Sequence, residues 1–307
     1  MSTNSDANLA ITGGTGFISR GMLESCAEAG LSCRALSRSA RPSWAEEATQ
    51  WVSVPAYDDA ATLKEALAGA RYVLHLADNP ARGDARSVEQ AVRNCDALIA
   101  AIRSNRIAGV IVASSVYARN DTDSSTSSYG MVKRAIERQF LSATDIRTVV
   151  LRLPPVYGPE GRGGLATLAK LVHKGVPLPL GAASAPRAYL SRRNLASLVL
   201  AMVNGDNNRW KGAAGRIFEP SDGAAIATRD LIRAMAAQMD ISARLVPVPV
   251  AVLRIAAGLT GKKELVSGAI DRLDVAPVGE LETAFGWRPV ERMPESLGFL
   301  RDEVRRS

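Results

Sequence analysis

Cysteine and aromatic residues are scarce in this sequence. Three of its 307 residues are cysteines, and aromatic side chains make up 5% of the chain. Cys26, Cys33 and Cys95 are an odd number at no spacing typical of metal ligands, which argues against a disulfide framework and a zinc site. We expect buried, reduced thiols. The 47% hydrophobic and 22% charged content is otherwise that of a folded globular protein.

A long uncharged apolar run is also missing. The longest apolar stretch, residues 245–259, is interrupted by Pro247, Pro249 and Arg254, whereas a membrane span needs about 20 apolar residues. The polar N-terminus lacks the basic and apolar segments of a secretion signal. These absences predict a cytoplasmic protein without a membrane partner.

Positive charge is in excess but dispersed. The formal net charge is +7, and only seven of the 38 basic residues are lysines. The charges form no clustered stripe of the kind that binds nucleic acid, so no nucleic-acid partner is expected. Arginine suits bidentate contacts to phosphate. The excess of positive charge can therefore reflect either the binding of phosphorylated small molecules or a solvated surface.

Alternating apolar strands and helices predict the fold. The predicted strands are residues 8–12, 32–36, 51–54, 72–77, 109–113 and 147–153, and the predicted helices are 17–29, 62–67, 88–103 and 129–141. A further helix near residues 194–203 and a strand near 216–220 are expected to return to the same sheet. Strands that are apolar throughout are buried on both faces, as in parallel sheets covered by helices. The sequence therefore predicts an α/β fold, a Rossmann-type doubly wound parallel sheet with a smaller C-terminal substrate-binding domain.

The domain boundaries follow a change of composition after Pro154, where proline and glycine become frequent. Residues 1–155 are predicted to form the dinucleotide-binding Rossmann domain, to which residues 192–221 return. Residues 156–191 and 222–307 are assigned to the smaller domain.

A glycine-rich turn, residues 12–18, joins the first predicted strand to the first helix. Glycine permits a tight turn in which backbone N–H groups approach a diphosphate, and the helix N-terminus attracts the anion. The position of a third glycine holds the bulkier Ser19, which is expected to alter the packing of the helix on the sheet. The residues predicted to bind the dinucleotide are Gly13, Thr15, Gly16, Phe17 and Ile18.

The residues after the second predicted strand, 37–41, contain no acid. A carboxylate here hydrogen-bonds the ribose 2′-hydroxyl of NAD, while an arginine pairs with the 2′-phosphate of NADP. The sequence therefore favours NADP(H), bound by Arg38, over NAD(H). The alternatives are that Arg38 and Arg41 are surface charges, or that Arg38 stacks on the adenine.

Tyr129 and Lys133 lie four residues apart, on one face of a predicted helix. The pKa of a tyrosine is near 10, and a nearby ammonium group and an oxidised nicotinamide both favour the phenolate. The spacing alone is a frequent coincidence. Here it follows a buried strand that ends in Ser114 and Ser115, at the carboxyl edge where such sheets bind ligands. Ser115 is therefore predicted to donate a hydrogen bond to a substrate oxygen.

Jointly, these motifs resemble the extended short-chain dehydrogenase/reductase family, the NAD-dependent epimerase/dehydratase group, over nearly the whole chain. The matching parts are residues 12–18, 75–77, 151–159 and 285–289, with Asn94, Ser115, Tyr129 and Lys133. The resemblance implies that Tyr129 is the general acid/base and that Ser115 orients the substrate. It also implies that Lys133 holds the nicotinamide ribose and tunes Tyr129.

The same resemblance implies further contacts. Leu76, Ala77, Pro154 and Val156 are expected beside the cofactor. Asn94 is expected to assist in substrate binding, through a neighbouring helix or a water in the proton path, with simple helix packing as the alternative. Arg187 resembles the arginine that grips the diphosphate of a nucleotide sugar, with a structural salt bridge as its alternative. His75 is interpreted as a core residue beside the cofactor.

The resemblance leaves the reaction open. A nucleotide-sugar 4-ketoreductase or dehydrogenase is favoured, and an NAD-dependent 4-epimerase shares all of its catalytic residues. Val116 and Tyr117 stand where 4,6-dehydratases have an acidic pair, which disfavours dehydration. A non-enzymatic dinucleotide-binding sensor is the alternative of another class. The helices at 88–103 and 129–141 resemble those that pair in family homodimers, so a homodimer is expected.

Overall fold

The computed structural model describes residues 7–45, 47–77, 85–119, 128–161 and 163–306. Its strands are β1 (Ala7–Thr12), β2 (Cys33–Ser37), β3 (Gln50–Ser53), β4 (Ala70–His75), β5 (Gly109–Ser115), β6 (Thr148–Leu153), β7 (Val156–Tyr157), β8 (Pro186–Arg187), β9 (Leu190–Ser191), β10 (Ile217–Phe218) and β11 (Ile226–Ala227). Its helices are α1 (Phe17–Glu28), α2 (Ala60–Ala66), α3 (Ala85–Asn105), α4 (Ser128–Ser142), α5 (Gly164–His173), α6 (Arg192–Val203), α7 (Asn207–Ala213), α8 (Thr228–Gln238), α9 (Val250–Thr260), α10 (Lys263–Ile270), α11 (Gly279–Phe285) and α12 (Phe299–Arg306).

Within the described ranges, one parallel sheet of seven strands has the order β10-β6-β5-β4-β1-β2-β3. All seven residues of β5 are buried, as expected for a strand covered by helices on both faces. The predicted doubly wound fold is therefore confirmed. Because β1 pairs with both β2 and β4, the chain reverses its direction of winding there, which is where such sheets bind ligands.

The chain divides into two compact units. Unit 1 comprises Met1–Leu153, Leu195–Pro220 and Pro277–Arg288, and unit 2 comprises Pro154–Asn194, Ser221–Ala276 and Pro289–Ser307. The segment Pro277–Arg288 was expected in the smaller domain. It lies in unit 1 because the ring of Phe285 packs against those of Trp210 and Phe218, with centroids 6.1 and 6.0 Å apart.

Unit 2 contains a buried hydrogen-bond cluster. The Tyr157 hydroxyl donates to Asp222 at 2.6 Å, and the same carboxylate accepts from the backbone N–H of Ser191 and the amide of Asn194. Burial raises the pKa of the Asp222 carboxyl above its ordinary value. The four residues tie β7, β9 and α6 together.

Cys26, Cys33 and Cys95 are free and buried, which confirms the predicted buried thiols. In the part of the chain that the structure covers, no helix combines the length and apolar character needed to cross a bilayer. The apolar α9 has 11 residues.

Candidate active site

The glycine turn between β1 and α1 has the geometry of an anion cradle. Gly13 has a φ of +74°, and a Cβ there would lie 3.0 Å from the backbone of Ala77, so only glycine fits. Gly16 caps α1 without any side-chain hydrogen bond to the first turn. The N-terminus of α1 therefore lies beside the glycine turn, and a helix N-terminus attracts a phosphate through its dipole.

The hydrogen-bonding groups of Gly13 are satisfied by two hydroxyls that sequence reasoning did not assign. Ser19 is fully buried and donates to the Gly13 carbonyl at 2.7 Å. The Gly13 N–H donates to the Tyr57 hydroxyl at 3.1 Å. Ser19 therefore adds a hydrogen bond at the position where a third glycine would allow close packing.

A cavity of about 410 Å³ lies over this turn. Its walls come from the ends of β1, β2 and β4 and from α3 and α4, all within unit 1. The predicted residues that line it are Gly13, Thr15, Gly16, Arg38, Leu76, Ala77 and Asn94. Phe17 and Ile18 open α1 beside it and are half-buried.

The end of β4 is held against β1 by Thr12. Its hydroxyl oxygen accepts hydrogen bonds from the backbone N–H groups of Leu76 and Ala77, at 3.1 and 3.0 Å. β4 consequently ends at His75, two residues before the predicted strand end. Leu76 and Ala77, which follow β4 directly, are therefore held in the cavity wall by hydrogen bonds to β1.

His75 is a buried neutral imidazole in the cavity wall. The Thr12 hydroxyl lies 2.8 Å from its Nδ1. Because that oxygen already accepts two N–H bonds, its own proton points to Nδ1, which places the imidazole proton on Nε2. Burial, with a smaller contribution from the charge of Lys133, lowers the pKa of His75 to about 3.

The end of β2 forms the cavity rim where a dinucleotide's ribose is recognised in this type of fold. Ser37 is buried, and its hydroxyl accepts from the backbone N–H of Ser39. Arg38 is exposed on the rim, and no salt bridge within the described ranges joins it to a carboxylate. Arg41 donates instead to the carbonyl of Ala45.

Tyr129 and Lys133 meet on one face of α4. The Lys133 side chain is buried, and its Nζ lies 5.7 Å from the centroid of the Tyr129 ring. The same Nζ donates a hydrogen bond of 3.0 Å to the carbonyl of Ala113 on β5. Tyr129 is 38% exposed, so its ring is accessible to a substrate while the ammonium group is fixed beneath it.

Ser115 is the last residue of β5. It is buried, and its Oγ accepts from the backbone N–H of Tyr117 at 3.3 Å. The Ser115 hydroxyl accepts in that bond and keeps its own hydrogen as a donor. The segment 120–127, which continues from here toward α4, lies outside the described residues.

A buried network beneath α4 went unnoticed in the sequence. Glu137 accepts hydrogen bonds from the hydroxyl of Ser114 on β5 and from the guanidinium of Arg152 on β6. The sequence did contain a signal for this network, because Glu137 continues the four-residue spacing of Tyr129 and Lys133 along one helix face. The network fixes that face against two strands.

The remaining predicted residues differ in their surroundings. Asn94 accepts from Gln90 at 2.9 Å and lines the dinucleotide cavity. Arg187, in unit 2, is buried and donates to the carbonyl of Asp271, while its Nε has no partner among the described residues. Pro154 and Val156 also lie in unit 2, where Val156 pairs with Leu190.

The chain is similar to known proteins in sequence. The model of the NAD dependent epimerase/dehydratase family matches residues 9–214. A UDP-glucose 4-epimerase from Vibrio cholerae is 28% identical over 173 residues, which are 55% of this chain and 51% of that protein. The match thus spans about half the length of this curated relative.

Solved structures show the same fold over nearly the whole chain. The UDP-N-acetylglucosamine 4-epimerase of Bacillus cereus has a TM-score of 0.75 at 17% identity, covering 98% of this chain and 100% of that one. The UDP-glucose 4-epimerase of Thermus thermophilus, in complex with NAD, has a TM-score of 0.72 at 20% identity, covering 97% and 99%. At these identities the likeness concerns the fold.

Proposed function

The chain belongs to the NAD-dependent epimerase/dehydratase family, and from this premise we propose that it transfers hydride at a carbonyl or alcohol carbon of a nucleotide sugar. The observation that carries the proposal is the buried Lys133 ammonium, anchored to Ala113 and 5.7 Å from the Tyr129 ring. A fixed cation beside an accessible phenol is what proton transfer by a tyrosine at neutral pH requires.

We assign the cavity of unit 1 to the nicotinamide dinucleotide. Gly13, Thr15 and Gly16 surround the place for its diphosphate, where a Cβ on Gly13 would collide with Ala77. The rim at Ser37 and Arg38 is the place for the adenosine ribose. When bound, such a dinucleotide supplies the hydride acceptor and donor.

In the proposed reaction Tyr129 moves the proton. Its phenolate oxygen takes the proton of the substrate hydroxyl during oxidation, and its phenol returns a proton to the carbonyl oxygen during reduction. Lys133 stabilises the phenolate by its positive charge. Ser115 donates its hydroxyl hydrogen to the same substrate oxygen and so holds it toward Tyr129.

Replacement of the tyrosine hydroxyl tests this assignment. Tyr129→Phe is expected to bind the dinucleotide as the wild type does and to lose about 100- to 10,000-fold in kcat, the usual contribution of a general acid/base. Tyr117→Phe is the matched control, because Tyr117 is also an exposed tyrosine at 44%. Retained turnover in Tyr129→Phe would remove Tyr129 from the mechanism.

We propose 4-epimerisation as the first form of the reaction, because the curated relative and the structural neighbours cited above carry that activity in their names. An epimerase oxidises and re-reduces one carbon and therefore consumes no cofactor. Incubation with UDP-glucose, followed by chromatography of the UDP-sugars, is expected to give UDP-galactose without net change in absorbance at the wavelength of reduced nicotinamide.

The second form is a 4-ketoreductase, favoured by Arg38 at the rim and by the lack of an acid after β2. An exchangeable NADPH suits net reduction. Stoichiometric NADPH oxidation with a 4-keto nucleotide sugar, with no epimerisation of UDP-glucose, is the result that would favour this form. Arg187 stays the proposed contact to the substrate's diphosphate in either case.

A homodimer is proposed as the assembled form. The outward face of α4 carries Met131, which is 42% exposed, and α3 packs beside α4. Light scattering coupled to size exclusion is expected to give twice the mass of 32.6 kDa, and a single-chain mass contradicts the proposal.

A further inference from the structure

Tyr57 lies between the glycine turn and the end of β2, which are the two parts of the cavity proposed to hold the dinucleotide. Its ring is buried at 9% exposure and lines the cavity beside the glycine turn. Its hydroxyl accepts from the N–H of Gly13 at 3.1 Å and donates to the carbonyl of Leu36 at 2.9 Å. One side chain therefore bridges the turn after β1 and the end of β2.

The bridged atoms belong to the two places that a dinucleotide contacts. Gly13 begins the turn that surrounds the diphosphate, and Leu36 immediately precedes Ser37 and Arg38 at the ribose rim. The Leu36 carbonyl also accepts from the N–H of Gly14 at 2.9 Å. The relative position of turn and rim is consequently set by hydrogen bonds that converge on Leu36.

The glycine turn depends on Tyr57 for one bond that the backbone does not provide. The Gly13 carbonyl accepts hydrogen bonds from the Ser19 hydroxyl and from the N–H of Gly16, the latter at 2.9 Å. The Gly13 N–H, in contrast, donates to the hydroxyl of Tyr57. Burial raises the pKa of the Tyr57 phenol, so the hydroxyl remains protonated and can donate and accept together.

We propose that Tyr57 is a positioning residue for the dinucleotide, which holds the diphosphate turn in register with the ribose rim through its hydroxyl. This rests on the proposed function and deepens it. Loss of the hydroxyl leaves the Gly13 N–H without its acceptor and frees the turn to adopt other orientations, so binding has to restore the order that Tyr57 otherwise maintains.

The test is calorimetric binding of ADP-ribose, which carries the diphosphate and both riboses but cannot exchange hydride. Tyr57→Phe is expected to raise the Kd about tenfold, the effect of one hydrogen bond. Tyr72→Phe is the matched control, since Tyr72 is a buried tyrosine of β4 that stacks on Trp210, and its Kd is expected to equal that of the wild type.

A merely structural role predicts a different pattern. It would lower the thermal midpoint of Tyr57→Phe and leave the Kd for ADP-ribose unchanged at a temperature where the variant is folded. In turnover, the positioning role raises the KM for the dinucleotide and leaves kcat at saturating dinucleotide near the wild-type value.

Two outcomes overturn the proposal, and they are distinguishable. If the wild type binds ADP-ribose and Tyr57→Phe binds it within twofold, Tyr57 has no positioning role and the proposed function stands. If the wild type itself has no measurable affinity for ADP-ribose, the dinucleotide site and the proposed function fail together with this inference.

Discussion

Glu137 of α4 accepts two hydrogen bonds from the guanidinium of Arg152 on β6, with N–O distances of 2.9 and 2.7 Å. The Glu137 side chain is 3% exposed and that of Arg152 is 19% exposed. A paired arrangement of this kind, shielded from water, fixes both partners. Because Tyr129, Lys133 and Glu137 share one face of α4, the ion pair sets where the proposed catalytic pair lies along β5 and β6.

Removal of the Glu137 charge is expected to destabilise unit 1. Glu137→Gln replaces the carboxylate that pairs with the largely buried Arg152 guanidinium by a neutral amide, at a cost of about 3 kcal/mol in the free energy of unfolding. Urea unfolding followed by circular dichroism measures this. The control is Arg103→Gln, which breaks the exposed pair with Asp145 and is expected to leave the midpoint unchanged. Equal stability of both variants would contradict a structural role of the pair.

The buried neutral His75 predicts acid sensitivity. Its pKa is about 3 in the folded chain and about 6.5 when unfolded, so the unfolded state binds a proton between these values and the folded state does not. Stability is therefore complete above pH 6.5 and decreases as the pH falls toward 3, by about 2 kcal/mol at pH 5.

His75→Asn tests this contribution. Asparagine can accept from the Thr12 hydroxyl as Nδ1 does, but it has no titrating group. The dependence of unfolding free energy on pH between 6.5 and 4 is expected to be shallower in the variant, whatever the change in absolute stability. The same slope in both proteins would show that His75 is not held neutral.

Arg38 predicts the choice of cofactor. If Arg38 pairs with a 2′-phosphate, Arg38→Ser is expected to raise the Kd for NADPH by about 10- to 100-fold, as for a hydrogen bond to a charged group. The Kd for NADH should change less than twofold. Arg41→Ser is the control, because Arg41 is exposed and bonds the Ala45 carbonyl. Tighter binding of NADH than NADPH by the wild type would show the NADP preference to be wrong.

Local patterns were sufficient for the strands of the sheet and for the position of the glycine turn. The apolar strand before Gly13 and the helix after Gly16 predicted the turn, and the structure confirms both elements. The spacing of Tyr129 and Lys133 predicted a shared helix face, which follows from helix geometry alone. The segment Pro277–Arg288 was assigned differently, because the contact of Phe285 with Trp210 joins residues 75 positions apart in sequence.

The order of residues along the chain thus determined the individual strands and helices, the glycine turn and the pairing of a phenol with an ammonium group, since each depends on neighbours within a few residues. Only the tertiary structure decided that Tyr57 satisfies Gly13 and that Thr12 ends β4. It alone also decided that Glu137 meets Arg152. These contacts join residues 44, 64 and 15 positions apart. Hydrogen bonds over such separations depend on how strands and helices stack, which no local periodicity encodes.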